Sequence, residues 1–134
     1  MTLSKDPHPS NADFPHGSCG DDHAYAATNT GCGWVNGWDY YAVETRRVYI
    51  KPNAELIDAR IGKLDLSGAN LSGANLTGAH LTNNNLSGAK LSKVRLNTGD
   101  LSSSNLRGAD LSYANLFRVA MITDLTDADL RVRT

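Results

Sequence analysis

Six residues early in the chain have side chains able to do chemistry together: His16, Cys19, Asp21, Asp22, His23 and Cys32. Thiolate sulfur and imidazole nitrogen are the preferred ligands of tetrahedral zinc, and His16, Cys19, His23 and Cys32 supply two of each. The spacing, His-x2-Cys-x3-His-x8-Cys, matches no common zinc module. Two other states of the same thiols stand beside metal binding. Cys19 and Cys32 form a disulfide, which would mark an exported protein, or they remain free thiols in a reducing compartment.

A nucleophilic thiol needs a neighbouring base and a group that orients that base. Nothing else in the chain completes such a site. There is no Gly-x-Ser-x-Gly, no phosphate-cradling glycine loop ending in Lys and no His-Glu-x-x-His. The expectation is a protein that is not an enzyme and carries no cofactor. Trp34, Trp38, Tyr40 and Tyr41 have the side chains of a stacking platform for sugars or bases. Without an adjacent basic stripe, stacking of nucleic acid is weak, and burial in a small core is the competing use of the same rings. Lys90, Lys93 and Arg95 form the one basic cluster of the second half. Together with Trp34 and Trp38 they are the candidate interaction residues.

The 134 residues contain 13 Lys and Arg against 14 Asp and Glu, so the whole chain has no basic footprint for direct nucleic-acid binding. No apolar run approaches the ~20 residues of a membrane span, and Met1–Pro7 lacks the apolar stretch of a signal peptide. These features point to a cytoplasmic protein with no membrane partner, exported only if Cys19 and Cys32 are bridged.

The averages conceal a division. All four prolines, both Cys and both Trp fall in the first 52 residues. Residues 1–50 carry three Lys and Arg against six Asp and Glu, whereas 51–134 carry ten against eight. The composition shift places a boundary near Pro52: residues 1–52 form a loop-rich aromatic segment, and 53–134 a second unit. Asn36-Gly37, between Trp34-Val35 and Trp38-Asp39-Tyr40, predicts a two-residue hairpin turn, and Arg47–Ile50 predicts another short strand. This small hairpin or meander is expected to cover the start of the second unit near Leu56 and Ile61.

The second unit repeats every five residues. Leu66, Leu71, Leu76, Leu81, Leu86, Leu91, Leu96, Leu101, Leu106, Leu111 and Leu116 recur without a gap, and a mostly small residue stands two positions before each. The phase runs back through Ile61 and Leu56 and forward to Met121, then slips by one residue to Leu125 and Leu130. On an α-helix a five-residue step advances about 140° beyond one turn and scatters the leucines; on a strand it alternates their faces. The remaining arrangement is a coil that turns a corner every five residues with each Leu pointing inward. Period five alone does not choose between four sides and five.

The unit is Ala69-Asn70-Leu71-Ser72-Gly73, Ala74-Asn75-Leu76-Thr77-Gly78 and variants such as Ala109-Asp110-Leu111-Ser112-Tyr113. From about residue 54 to 130 this resembles the pentapeptide-repeat family. The resemblance implies an all-β fold, a right-handed quadrilateral β-helix of about four coils, with a narrow core built on Leu66 through Leu116. Gly or Asn two residues after Leu suits a corner with positive φ. Lys93, Thr98, Ser103, Tyr113 and Arg118 occupy that position without Gly, so those corners are expected to keep φ negative. Side chains 20 residues apart should stack. That pairs His80 with Asp100 and Lys90 with Asp110 as ions, aligns Asn85 with Asn105 as an amide ladder, and aligns Ser72, Ser92 and Ser112 as a hydroxyl ladder.

The function read from this pattern is a structural or protein-interaction scaffold, its partner a protein. It would be a monomer, or a dimer through the C-terminal end at Met121, Ile122, Leu125 and Leu130. Some members of the family mimic duplex DNA and act on type II topoisomerases such as gyrase. That alternative needs dense carboxylates, and this repeat region is slightly basic. A third alternative is a metal-binding or redox-sensing N-terminal module on the repeat scaffold.

Overall fold

The computed structural model describes residues 33–36 and 47–132. Strand β1, Gly33–Asn36, pairs antiparallel with strand β2, Arg47–Ile50. Their register sets Trp34 opposite Tyr49 and Asn36 opposite Arg47. The turn expected at Asn36-Gly37 runs into residues 37–46, outside the described residues; the pairing that is described is tertiary in origin. β2 runs directly into the first coil, with Ile50 fully buried and Val48 and Tyr49 nearly so, so the partner of β1 is the strand already anchored on the core. Turn propensity decides a hairpin only where packing does not.

From Lys51 onward the chain winds into stacked coils. Parallel bridges link Glu55, Asn75, Arg95 and Asn115 in one row and Arg60, His80, Asp100 and Ala120 in the next. Asp65, Asn85, Asn105 and Asp124 make the third row, and Asn70, Lys90, Asp110 and Asp129 the fourth. Four rows and a 20-residue repeat mean four sides of five residues each. Each side carries three backbone bonds to the next coil. The Leu76 N–H donates to the Arg95 carbonyl (2.6 Å), the Arg95 N–H donates back to Ala74 (2.9 Å), and the Gly78 N–H donates to Asn97 (3.0 Å).

The interior follows from the sequence period. Leu66, Leu71, Leu76, Leu81, Leu86, Leu91, Leu96, Leu101, Leu106 and Leu111 are buried, and Ala69, Ala74, Ala79, Ala89, Val94 and Ala109 fill the space between them. Leu116 is only partly buried. Val48 and Ile50 of β2 belong to the same cluster as Ile61, Leu64 and the leucines, so one core runs from the hairpin through the coils.

The corners depart from expectation. Lys93, Thr98, Ser103, Tyr113 and Arg118 all have positive φ, between 58° and 63°, like the glycines at equivalent corners. The turn closes from the small residue to the preceding Leu, as in Val94 N–H to Leu91 O (3.2 Å), with positive φ on the third residue, the mark of a type II turn. The cause is the stack. Only this conformation aims the corner N–H along the rod, where Lys93 reaches Ser112 O (2.8 Å) and Thr98 reaches Phe117 O (2.8 Å).

Along one edge side chains replace the turn bond. Asn84, buried, accepts from the Leu64 N–H (3.0 Å) and donates to Ile61 O (2.7 Å), splicing its amide into the corner one coil back. Ser104, also buried, accepts from the Asn84 N–H (3.1 Å) and donates to Leu81 O. Thr123 Oγ1 in turn donates to Ser104 O. At this edge the last coil is one residue short, and bridges resume as Asn105 to Asp124 and Asp110 to Asp129.

Two stability changes follow. A β-branched residue at positive φ is strained by about 1–2 kcal/mol, and glycine adds about 0.4–1 kcal/mol of unfolded-state entropy. Thr98→Gly should therefore raise stability by about 0.5–1 kcal/mol in chemical denaturation. Asn84→Ala removes both amide bonds from a buried corner and should lower stability by about 1–3 kcal/mol.

Candidate functional site

The outward positions of the sides are mostly Asn or Asp, and their oxygens turn toward their own chain. Asp65, Asn70, Asn75, Asn85, Asp100, Asn105, Asp110, Asn115, Asp124 and Asp129 each accept the N–H two residues later, at 2.8–3.3 Å. This is the Asx turn, which satisfies a corner N–H that the type II turn leaves open. Ser87, Ser112, Thr77 and Thr126 add their hydroxyls to the same oxygen. The rows align His80 with Asp100 and Lys90 with Asp110, but neither pair forms an ion pair among the described residues. Asp100 accepts from Ser102 and Asp110 from Ser112 instead. A fixed local donor outcompetes an exposed ion pair worth about 0–1 kcal/mol. Asn85 donates to Asp65 (3.2 Å), not to Asn105, and Ser72, Ser92 and Ser112 do not bond one another.

The candidate interaction residues Lys90, Lys93 and Arg95 lie around one corner, from the fourth row to the first, and all three are exposed. The positive φ of Lys93 sits at the apex of that corner. Trp34 lies in β1 opposite Tyr49. Trp38 and the cluster His16, Cys19, His23 and Cys32 lie outside the described residues. Among the described residues no group of His, Cys, Asp and Glu is arranged to hold a metal ion, and no helix is long and apolar enough to cross a membrane.

A surface depression of about 380 Å³ lies beside the second row, lined by Arg60, Ile61, Gly62, Lys63, His80, Thr82, Asn83 and Asp100. Gly62 produces it. That position carries Thr82, Ser102 and Ile122 in the later coils, and a Cβ on Gly62 would meet Thr82 O at 2.9 Å.

Two ion pairs involve the last coil, Arg107 with Asp124 and Arg131 with Asp129. Asp124 has its carboxyl below its ordinary value of 3.8, first because the Thr126 hydroxyl (2.6 Å) and N–H (2.9 Å) donate to it, then because Arg107 lies 3.6 Å away. Asp129 is lowered by the Arg131 side chain, whose Nε reaches both carboxylate oxygens at 3.0 Å, and by the Arg131 N–H. The same contact raises Arg131. Arg131 also stands 5.9 Å from the Tyr113 ring, and Arg118 stands 5.4 Å from Phe117.

A stack of four-sided coils wound on a solid leucine interior defines a β-solenoid repeat protein. The family described as pentapeptide repeats matches at residues 63–97 and 85–119, and this stretch of the chain belongs to the pentapeptide-repeat family, whose fold is the quadrilateral β-helix. Among solved structures the chain is similar to HetL, a pentapeptide repeat protein involved in heterocyst differentiation regulation from the cyanobacterium Nostoc sp. strain PCC 7120. The identity is 37%, over 60% of this chain and 42% of HetL, with a TM-score of 0.46. It is also similar to the pentapeptide repeat protein Rfr23 from the cyanobacterium Cyanothece 51142, at 29% identity over 59% of this chain and 58% of Rfr23, with a TM-score of 0.26. The chain spans about half the length of these two proteins. No curated protein matches it.

Carboxylates with lowered values stabilise the folded coil above their ordinary value, and that contribution is lost as pH falls through the lowered one. Acidification below about pH 4 should therefore loosen the last coil before the central ones. Amide exchange should show Leu125–Arg131 losing protection while Leu76–Leu96 keep it, and Asp124→Asn should reduce the difference.

Proposed function

We propose that this chain is a non-enzymatic scaffold that binds a protein partner on the outer faces of its solenoid. The observation that carries the reading is the filled interior. The leucines from Leu66 to Leu111 leave no room for a substrate within the coils, and ligand chemistry ordinarily needs an enclosed, largely apolar pocket. The outer faces have the opposite character. Their carboxylates and amides are held rigid by Asx turns, so they form a fixed array that loses little side-chain freedom on contact. The corner of Lys90, Lys93 and Arg95 is the basic interruption in that array, and its complement is an acidic surface on the partner. A DNA mimic requires the reverse, a rod dense in carboxylates, and the row of Glu55, Asn75, Arg95 and Asn115 holds one acid and one base.

The experiment is cross-linking of the intact chain in its host, identification of the joined protein, and a binding titration with it. The triple variant Lys90→Glu, Lys93→Glu, Arg95→Glu should fold normally, because all three residues are exposed. It should weaken the partner by tenfold or more, which is about 1.4 kcal/mol. Wild-type affinity in this variant would remove the corner from the interface. Turnover of any compound in a broad substrate panel would overturn the reading as a whole.

A further inference from the structure

The outward Asn and Asp residues close the N–H two positions later, as Asn75 does for Thr77 (3.2 Å) and Asp100 for Ser102 (2.8 Å). The second row breaks this rule on two consecutive coils. Arg60 and His80 stand where Asn or Asp stands elsewhere. A guanidinium has no acceptor to offer, and His80 does not supply one. The N–H groups of Gly62 and Thr82 therefore have no hydrogen-bond partner among the described residues. Gly62 is a buried position, and a buried N–H without an acceptor is costly, so an occupant that brings oxygen is favoured there. No other row among the described residues leaves two consecutive coils open in this way.

Both open donors belong to residues that line the depression of about 380 Å³. That volume lies at the low end of small-molecule sites, which run from about 300 to 1,000 Å³. Gly62 places no side chain over its own N–H. A Cβ there would lie 3.6 Å from Thr82 Oγ1, so the Thr82 hydroxyl adjoins the same gap as a further donor. Arg60 and Lys63 line the hollow as cations, and His80 lines it with a ring N–H. Asp100 is the one carboxylate in the lining. It lies one coil beyond His80 along the row, and its Oδ1 already accepts from Ser102.

We propose that this hollow binds the phosphate group of a small molecule. One phosphate oxygen accepts the Gly62 N–H and a second the Thr82 N–H, two donors stacked about 4.8 Å apart by the spacing of neighbouring strands. The remaining oxygens meet the positive charge of Arg60 and Lys63 and the His80 donor, as charge-assisted hydrogen bonds. Backbone N–H groups in a concave setting are the usual seat of such an anion. Two observations select phosphate over a carboxylate. A planar carboxylate spends both oxygens on the backbone pair, whereas a tetrahedral group keeps oxygens for the side chains. Two cations against one carboxylate also suit a dianion. The rest of the hollow has room for the organic group that carries the phosphate. This site lies on the second row, away from the corner of Lys90, Lys93 and Arg95 between the fourth row and the first, so the two stand or fall separately.

Amide NMR titration of the intact chain with inorganic phosphate, glycerophosphate and acetate tests this. The Gly62 and Thr82 amide protons should move downfield and saturate with both phosphates, more tightly with the ester, and acetate should bind about tenfold more weakly. Equal affinity for the two phosphates would identify inorganic phosphate as the ligand. Two neutral replacements separate the backbone donor from side-chain charge. His80→Asn gives Thr82 the acceptor that Asn75 gives Thr77, so it should fold normally and lose about tenfold or more in affinity. His80→Gln is too long to close the same turn and should stay within about threefold of the parent. The triple variant at Lys90, Lys93 and Arg95 should bind phosphate as the parent does. Absence of saturable shifts at Gly62 and Thr82 overturns the proposal. So does acetate binding as tightly as phosphate, or equal loss in His80→Asn and His80→Gln.

Discussion

The structure depends on one constraint: every coil must present its backbone donors and acceptors in the same places as the coil before it. Three cross-coil bonds per side recur through the stack, as with Leu76 to Arg95, Arg95 to Ala74 and Gly78 to Asn97. Each is worth about 1 kcal/mol net when made, and more when a buried group is left without it. A corner that failed to repeat would break the bonds of its own side and misplace the next side. That is why Lys93, Thr98, Ser103, Tyr113 and Arg118 accept positive φ. The local cost of about 1–2 kcal/mol per residue is smaller than the set of bonds it preserves.

The same constraint explains where polar side chains go. On the outside, Asn and Asp supply an acceptor to the N–H two residues on, a group the turn itself cannot satisfy. Their oxygens are thereby committed. This is why Asp100 and Asp110 do not reach for His80 and Lys90 despite their alignment. On the inside, polar residues are admitted only as substitutes for backbone groups. Asn84 provides both halves of the bond that the corner from Ile61 to Leu64 does not make with itself.

Much of this was legible in the sequence because the period is a property of inward volume: Leu at every fifth position, with a small residue two before it, can describe only a coil with regular corners. The number of sides was not legible, since it rests on corner angles that no single residue type encodes; family resemblance supplied it. Corner conformation was misread at Thr98 and Tyr113 because intrinsic preference was weighed without the bonds that override it. The pairing of β1 with β2 was not legible, because it rests on the burial of Ile50 in the first coil, and the turn signal at Asn36-Gly37 leads outside the described residues. The basic corner was legible by position, since Lys90, Lys93 and Arg95 are close in sequence. The hollow at Gly62 was not, because it is defined by what stacks above it at Thr82.

The irregularities of the solenoid share one edge, and this bears on how such a rod can acquire an individual feature. Gly62, Asn84, Ser104 and the shortened corner at Met121–Thr123 lie on successive coils along the same line. The corners ending at Leu64 and Asn84 lack the turn bond and a side chain of the next coil completes each, whereas the corner ending at Ser104 keeps its bond to Leu101 O (3.2 Å). Asn84 stands in for the turn bond, and the Thr123 hydroxyl fills the Ser104 carbonyl where the last coil lacks a residue. Beyond the deletion the rows resume with Leu106 N–H bonded to Asp124 O at 2.9 Å. What the fold conserves is therefore the satisfaction of each cross-coil group, not the residue count between them. An edge whose groups are met by side chains can change length and local shape without disturbing the other three, and it is beside this edge that the outer surface opens into its depression.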